Sequence, residues 1–391
     1  MPSSPLIPSE IGILGVASAE DVASRLRPWQ IDGLVADLLL VLAATRTAEH
    51  PGISAAGSTV ASRRFTALAD AELMLAGPAA PRRWPLPPLP AGVSPAPLTH
   101  VALQRLSLMP VVAAVGLEHQ SVAPHLRLES AELGPAACVS TGASMRLSRV
   151  QQLWRRGHRI GAGLRRPLVL SECVPGGTTT ALGVLEGLGL DVSPWISGSA
   201  LHPPKAMKAR LVAHGLARAA LPSPASSQQV LAAVGDPFQA VAAGLLRGAL
   251  ISGQPVMLAG GSQMLAVLAL ALQGLAEDDR LRLAAQVLLG TTPWLAEERV
   301  AGPVPSALGC VLEAVADRYQ VPLVGAFSRL RFTRSRHQQL RDFEAGHVKE
   351  GVGAGALLLL AQLQGASTDD LLTRCDQAME ALLVSSVTSS P

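Results

Sequence analysis

The chain has 391 residues, 49% hydrophobic and 16% charged, with a net charge of +3. That is enough for a sizeable core in one large α/β domain or two smaller ones, and it carries no basic excess of the kind that marks nucleic-acid binding. Aromatic residues make up 3%, with Tyr319 the single tyrosine, and the four cysteines (Cys138, Cys173, Cys310, Cys375) include no C-x-x-C pair. Base-stacking platforms, a zinc site and a disulfide framework are thereby disfavoured, and a reducing cytoplasm fits.

In chain order, the N-terminus MPSSPLIPSEIGILGVASAED has no basic stretch ahead of its apolar part, which argues against a signal peptide. Residues 1–100 read as a helical and loop region packing on the core. Within it, the run LVADLLLVLAATRT leads into PGISAAG (51–57), a small-residue loop that either lines a flat aromatic ligand or permits tight packing. Residues 77–100 contain eight prolines, which excludes a helix interior or a central strand. The Pro-rich stretch 77–98 is expected to be an ordered loop, since Trp84 and the leucines offer packing.

Residues 101–370 carry the pattern of an α/β core. PVVAAVGLE (110–118), RPLVLSE (166–172), QPVMLAGG (254–261), AQVLLGTT (285–292) and VPLVGAFS (321–328) are short apolar runs, each followed by an Ala/Leu-rich segment. The alternation predicts a mainly parallel, Rossmann-like sheet with helices on both faces and a smaller helical part. Ligands of such sheets bind at the carboxyl ends of the strands, where this sequence puts its glycines. The mean hydropathy of +0.33 is high. The longest uncharged run, between Arg247 and Glu277, is interrupted by Pro255, Gly260, Gly261, Ser262 and Gln263. It reads as strand, turn and helix rather than a membrane span. Residues 371–391 are expected to form a C-terminal helix and the frayed tail TSSP.

Three glycine-rich turns carry the candidate chemistry. In SECVPGGTTTALGVLEGLG (171–189) an apolar strand ends in Gly176-Gly177 and opens a helix. Backbone N–H groups at such a start attract anions, and Thr178, Thr179 and Thr180 can cap the helix or bond a phosphate. The turn is neither a P-loop nor a G-x-G-x-x-G fingerprint, and taken singly it is equally a tight connection. PVMLAGGSQMLAVLALA (255–271) repeats the arrangement around Gly260 and Gly261. The two together point to a phosphorylated ligand across the sheet edge. In FEAGHVKEGVGAGALLLLAQL (343–363), Glu350 precedes Gly351, Gly353 and Gly355. It reads either as a helix-terminal carboxylate paired with Lys349 or as a general base. His347 reads first as structural and Asp236 as a helix cap. The basic clusters 154–166 and 328–341 read as solvated faces, or alternatively as aids to phosphate binding.

Taken as an ordered set, PGISAAG, TALADAE (66–72), SECVPGGTTTALGVL, VGDPFQAV, AGGSQMLAV and VKEGVGAGALLL resemble the archaeal and cyanobacterial branch of the nicotinate-nucleotide–dimethylbenzimidazole phosphoribosyltransferase family. The resemblance runs from about residue 30 to 365. It implies a Rossmann-like fold, a cytoplasmic homodimer, and transfer of the phosphoribosyl group of nicotinate mononucleotide to a benzimidazole-like or purine base, releasing nicotinate. The product would serve as the lower ligand of cobalamin, and the reaction would need no metal or cofactor, no nucleic acid and no membrane. The family's catalytic glutamate falls on Glu350, and its phosphate loop on Glu172, Gly176, Gly177 and Thr178. Its second glycine turn falls on Gly260 and Gly261, its last on Gly351 and Gly353, and its phosphate lysine on Lys208, with Lys205 as the rival. The alternative is a non-catalytic nucleotide-binding or regulatory protein of the same fold.

Overall fold

Apolar runs too short for helices, and bounded by turn residues, become strands when both faces can be buried. In the computed structural model, which describes residues 8–198, 200–299 and 306–388, eight strands form one sheet. They are β1 (Ile11–Leu14), β2 (Asp37–Ala43), β3 (Pro110–Val115), β4 (Leu126–Arg127), β5 (Leu168–Cys173), β6 (Val256–Ala259), β7 (Val287–Thr291) and β8 (Gly325–Ser328). The order across the sheet is β1-β8-β7-β6-β5-β2-β3-β4. All pairings are parallel except β1 with β8.

The sheet separates two cores. Leu39, Val41, Leu168, Leu170, Val256 and Leu258 face the helices Gly177–Gly187, Pro237–Ser252 and Ser262–Leu272. Leu38, Leu40, Leu42, Val169, Met257 and Ala259 face Thr66–Ala76, Ala96–Leu106 and Ala354–Leu363. This is the predicted α/β class, with the long uncharged run resolved into β6 and the helix Ser262–Leu272. No helix among the described residues is long and apolar enough to cross a membrane.

The expectation for residues 1–100 needs correction. They are more than a helical and loop region, because they supply edge strand β1 and the central strand β2, which lies between β5 and β3. Six of the seven β2 residues are buried, so the run lacks the polar alternation that announces a half-exposed strand. The helix Ala96–Leu106 also runs across the expected boundary at 100, and Thr368–Thr388 across that at 370. The Pro-rich loop packs through Trp84, whose ring stacks on Phe65 at 4.8 Å, and Glu72 accepts the backbone N–H groups of Arg83 and Trp84. Of the expected frayed tail, residues 389–391 lie outside the described residues.

One helix pair is locked by backbone contact. On Leu147–Ala162, a methyl group at Gly157 would fall onto the Val241 carbonyl oxygen, and one at Gly161 onto that of Leu245. Reciprocally, Gly244 and Gly248 of Pro237–Ser252 face the carbonyl oxygens of Trp154 and His158. Four glycines, spaced i, i+4 on each helix, let the two backbones touch. Gly161→Ala is therefore expected to lower unfolding free energy by about 2 kcal/mol or more, the scale of overpacking in a rigid core. Urea unfolding measures it, and wild-type stability would mean the helices are not locked here.

Candidate active site

The loops after β5 and β6 and the loop entering the helix Ala354–Leu363 meet above the carboxyl edge of the sheet. They enclose a cavity whose other walls include residues 53–56, the helix Thr66–Ala76, the Pro-rich segment, Ser197 and the helix Lys205–Ala219. Glu172, Gly176, Gly177, Thr178, Lys208, Gly261, Glu350 and Gly351 all line it. Gly260 and Gly353 do not line it. The N–H of Gly260 bonds the Gly290 carbonyl, while a side chain at Gly353 would meet Ser171 Oγ and the Ala259 Cβ. Both glycines are held in backbone packing beside the wall rather than in it.

At the first turn Gly176 adopts φ +84°, and a Cβ on Gly177 would lie 3.0 Å from Gln263 Nε2. Both positions therefore favour glycine, one for its conformation and one for space. Lys208 Nζ donates to Thr178 Oγ1 at 2.8 Å and to the Ser197 carbonyl at 2.9 Å. Burial, reinforced by the neighbouring Lys349 charge, pushes its ammonium down to about 8. Lys205, its rival, instead donates to the Pro194 carbonyl at the surface.

Glu350 accepts four hydrogen bonds. Thr291 Oγ1 (3.2 Å) and the Thr292 N–H (2.9 Å) reach Oε2, and the N–H groups of Gly351 and Gly355 (both 3.1 Å) reach Oε1. It is thus a helix-terminal carboxylate, but not one paired with Lys349, whose Nζ goes to Glu298 Oε1 at 2.5 Å. Burial raises the Glu350 carboxyl to about 7 against those donors. Glu172, the penultimate residue of β5, is raised to about 8, first by burial and then by the charges of Asp236 and Glu350, with the Val174 N–H opposing. Asp236 is the expected cap, bonded in a capping box to Gln239.

Much of the remaining lining is apolar, with Ile53, Ala55, Ala56, Leu89, Val348 and Val352. Its buried acid is Asp70, which accepts from Ser94 Oγ at 2.6 Å and from Cys173 Sγ at 3.6 Å. Burial raises that carboxyl to about 6. Sequence reasoning missed Asp70, Lys349, Ser197 and Gln263 as wall residues. The usable signals were the adjacency of Lys349 to Glu350 and the places of Asp70 in TALADAE and of Gln263 in AGGSQMLAV. His347 and the two basic clusters contribute nothing to the wall, and Arg331, Arg334 and Arg336 are instead engaged in surface ion pairs. Among the described residues no cluster of His, Cys, Asp and Glu could hold a metal ion.

Comparison with known proteins adds three findings. The chain is 60% identical over 372 residues to a UPF0284 protein of Parasynechococcus marenigrum (strain WH8102), covering 95% of this chain and 94% of that one. It is 58% identical over 359 residues to a UPF0284 protein of Prochlorococcus marinus (strain MIT 9313), covering 92% and 89%. Its fold is that of two crystal structures from Thermus thermophilus. One is CobT (TM-score 0.56, 18% identity, 90% of this chain and 89% of that one). The other is nicotinate-nucleotide-dimethylbenzimidazole phosphoribosyltransferase (TM-score 0.56, 19% identity, 90% and 88%). No protein-family model matches the chain.

The raised Glu172 carboxyl has a consequence for stability. The unfolded chain's glutamate ionises near its ordinary 4.5, while the folded one holds its proton to about 8. Between those values the folded state binds more protons, so stability falls as pH rises. Glu172→Gln removes this contribution. The melting temperature of the variant is expected to gain on wild type from about pH 4.5 to about pH 8 and then level off. A pH-independent difference in thermal melts would show that Glu172 ionises normally.

Proposed function

The chain belongs to the UPF0284 protein family, and on that premise we propose that it is a phosphoribosyltransferase. The reaction moves the phosphoribosyl group of nicotinate mononucleotide onto a benzimidazole-like or purine base and releases nicotinate, giving the nucleotide of the cobalamin lower ligand. The observation that carries this reading is the composition of one cavity. Two buried lysines (Lys208, Lys349), Thr178 and apolar side chains (Ile53, Leu89, Val352) line it together with two carboxyls, Glu172 and Glu350, with separated proton affinities. The shared fold with the Thermus thermophilus phosphoribosyltransferase supports it.

The chemistry needs what these positions offer. The bond from the anomeric carbon to the nicotinate nitrogen breaks, and its electron pair leaves with nicotinate. A ring nitrogen of the acceptor supplies the pair for the new bond, and its N–H proton must go to a base. Glu350, near 7, is the group that can be ionised at neutral pH and take that proton. Glu172, near 8, remains protonated and offers a hydrogen-bond donor to the ribose. The 5′-phosphate, anchored at Thr178 and Lys208, holds the sugar in place. No cofactor has a role in this scheme. A cytoplasmic homodimer belongs to the same proposal. A second reading, a non-catalytic nucleotide-binding protein, draws support from the four donors on Glu350, which also suit a purely structural cap.

Base-dependent nicotinate release from the mononucleotide, assayed with dimethylbenzimidazole, adenine and a phenol, separates the two readings. Glu350→Gln is expected to lower kcat by about 100-fold or more with little change in nucleotide affinity. The wild-type kcat/KM should rise with pH to about 7 and then flatten, because the base must lose its proton. Nucleotide binding without release for any base would favour the non-catalytic reading.

A further inference from the structure

Two buried lysines face the same end of the cavity. Lys208 is 1% exposed and Lys349 is 5% exposed. They meet on one residue: Lys208 Nζ donates to the Ser197 carbonyl at 2.9 Å, and Lys349 Nζ donates to Ser197 Oγ at 3.3 Å. An ammonium has three hydrogens to donate. Among the described residues, Lys208 uses two, on Ser197 and Thr178 Oγ1, and Lys349 uses two, on Ser197 and Glu298 Oε1. Each keeps one. A single carboxylate, Glu298, serves both charges, so one buried positive charge has no counter-ion among the described residues. Such a charge is costly unless something else supplies the anion.

The backbone around Lys349 is unusual in a second, independent way. Val348 and Val352 have φ of 51° and 43°, a conformation β-branched residues very rarely adopt. Strain of this kind persists where the surrounding structure demands it, and it concentrates at functional sites. Between the two valines the chain turns Lys349 toward Ser197 and Glu298, and turns Glu350 toward Thr291, Thr292 and Gly355. Neighbouring residues thereby serve different parts of the cavity.

We propose that Lys349 is a second phosphate-binding residue, with Glu298 as the counter-ion it holds until ligand arrives, so that the cavity takes a ligand carrying a phosphate dianion between Lys208 and Lys349. The dianion supplies the missing negative charge and accepts the two unused hydrogens. Glu298 and the dianion share the one Lys349 charge and repel each other, and Glu298 therefore competes with the ligand. The inference deepens the phosphoribosyl reading by assigning the residue that fixes the donor's phosphate beside Glu350. It does not require turnover.

Competition by Glu298 gives the two variants opposite signs. Dissociation constants for inorganic phosphate and for nicotinate mononucleotide would be measured calorimetrically on wild type, Lys349→Met, Glu298→Gln and the double variant, with circular dichroism confirming the fold of each. Lys349→Met is expected to weaken both ligands about tenfold or more, the range for one charge-assisted hydrogen bond. Glu298→Gln is expected to tighten both about threefold. The double variant should match Lys349→Met. If Glu298→Gln weakens binding as Lys349→Met does, the pair is structural and the proposal falls. It falls equally if Lys349→Met binds like wild type, or if wild type binds neither ligand. If Lys349→Met fails to fold, Glu298→Gln and the double variant decide it by the same signs. Phosphate binding through Lys349 without nicotinate release would sustain this inference and overturn the transferase reading. Nicotinate release with a mononucleotide affinity indifferent to Lys349 would do the reverse.

Discussion

A fully buried carboxylate, Asp236, holds the floor of the cavity in place. Its Oδ1 accepts the Gln239 N–H at 3.0 Å, and its Oδ2 accepts Thr180 Oγ1 at 2.5 Å and Gln263 Nε2 at 2.8 Å. Gln239 Nε2 closes the ring onto Gln263 Oε1 at 2.8 Å. These residues belong to the starts of three helices, Gly177–Gly187, Pro237–Ser252 and Ser262–Leu272. A buried acid is tolerable only when its oxygens are bonded, so the three helix starts are fixed relative to one another. Two of those starts are the glycine turns after β5 and β6. The turn that holds Thr178 against Lys208 thus owes its position to a residue beneath it.

The same network reaches outward. Asp236 caps Pro237–Ser252, and further along that helix Gly244 and Gly248 contact the backbone of Leu147–Ala162. Position is therefore transmitted from the cavity floor to a helix pair through one capping residue and backbone contact, neither of which leaves much freedom. Inward, the Asp236 charge is the first electrostatic influence on Glu172 after burial itself. One residue thus fixes the three helix starts and adds to the effect of burial on Glu172.

How much of this was legible follows from the range of the interactions. Strands β3, β5, β6, β7 and β8 were readable because each short apolar run is bounded by Gly, Ser, Thr or Pro nearby in sequence. β2 was not, since LVADLLLVLAATRT continues without a breaker and suits a buried helix as well as a buried strand. Glu172 and Glu350 stand beside local glycine turns and were visible for that reason. Lys349 gains meaning from Glu298 and Ser197, 51 and 152 positions away, and Asp70 from Ser94 and Cys173, 24 and 103 positions away. Gly260 and Gly353 look like their neighbours Gly261 and Gly351, and only three dimensions show that the first two pack behind the wall that the second two line. The Pro-rich loop had no readable role until Pro87, Leu89, Ser94 and Pro95 closed one wall.

The division of labour between the two carboxyls comes from their donors rather than from depth. Burial is the first cause raising both. Glu350 then receives three backbone N–H groups and one hydroxyl, each favouring the ionised form, and settles near 7. Glu172 receives the Val174 N–H, faces the charges of Asp236 and Glu350, and settles near 8. Near neutral pH, ionisation of Glu350 comes first and itself disfavours ionisation of Glu172, so the centre of the cavity holds about one negative charge rather than two. On the proposed reading, a single carboxylate suits a cation developing at an anomeric carbon, while a second would repel the phosphate assigned to the two lysines. The four donors on Glu350, which would suit a structural cap, are on the proposed reading also what lets it ionise near neutral pH as the base.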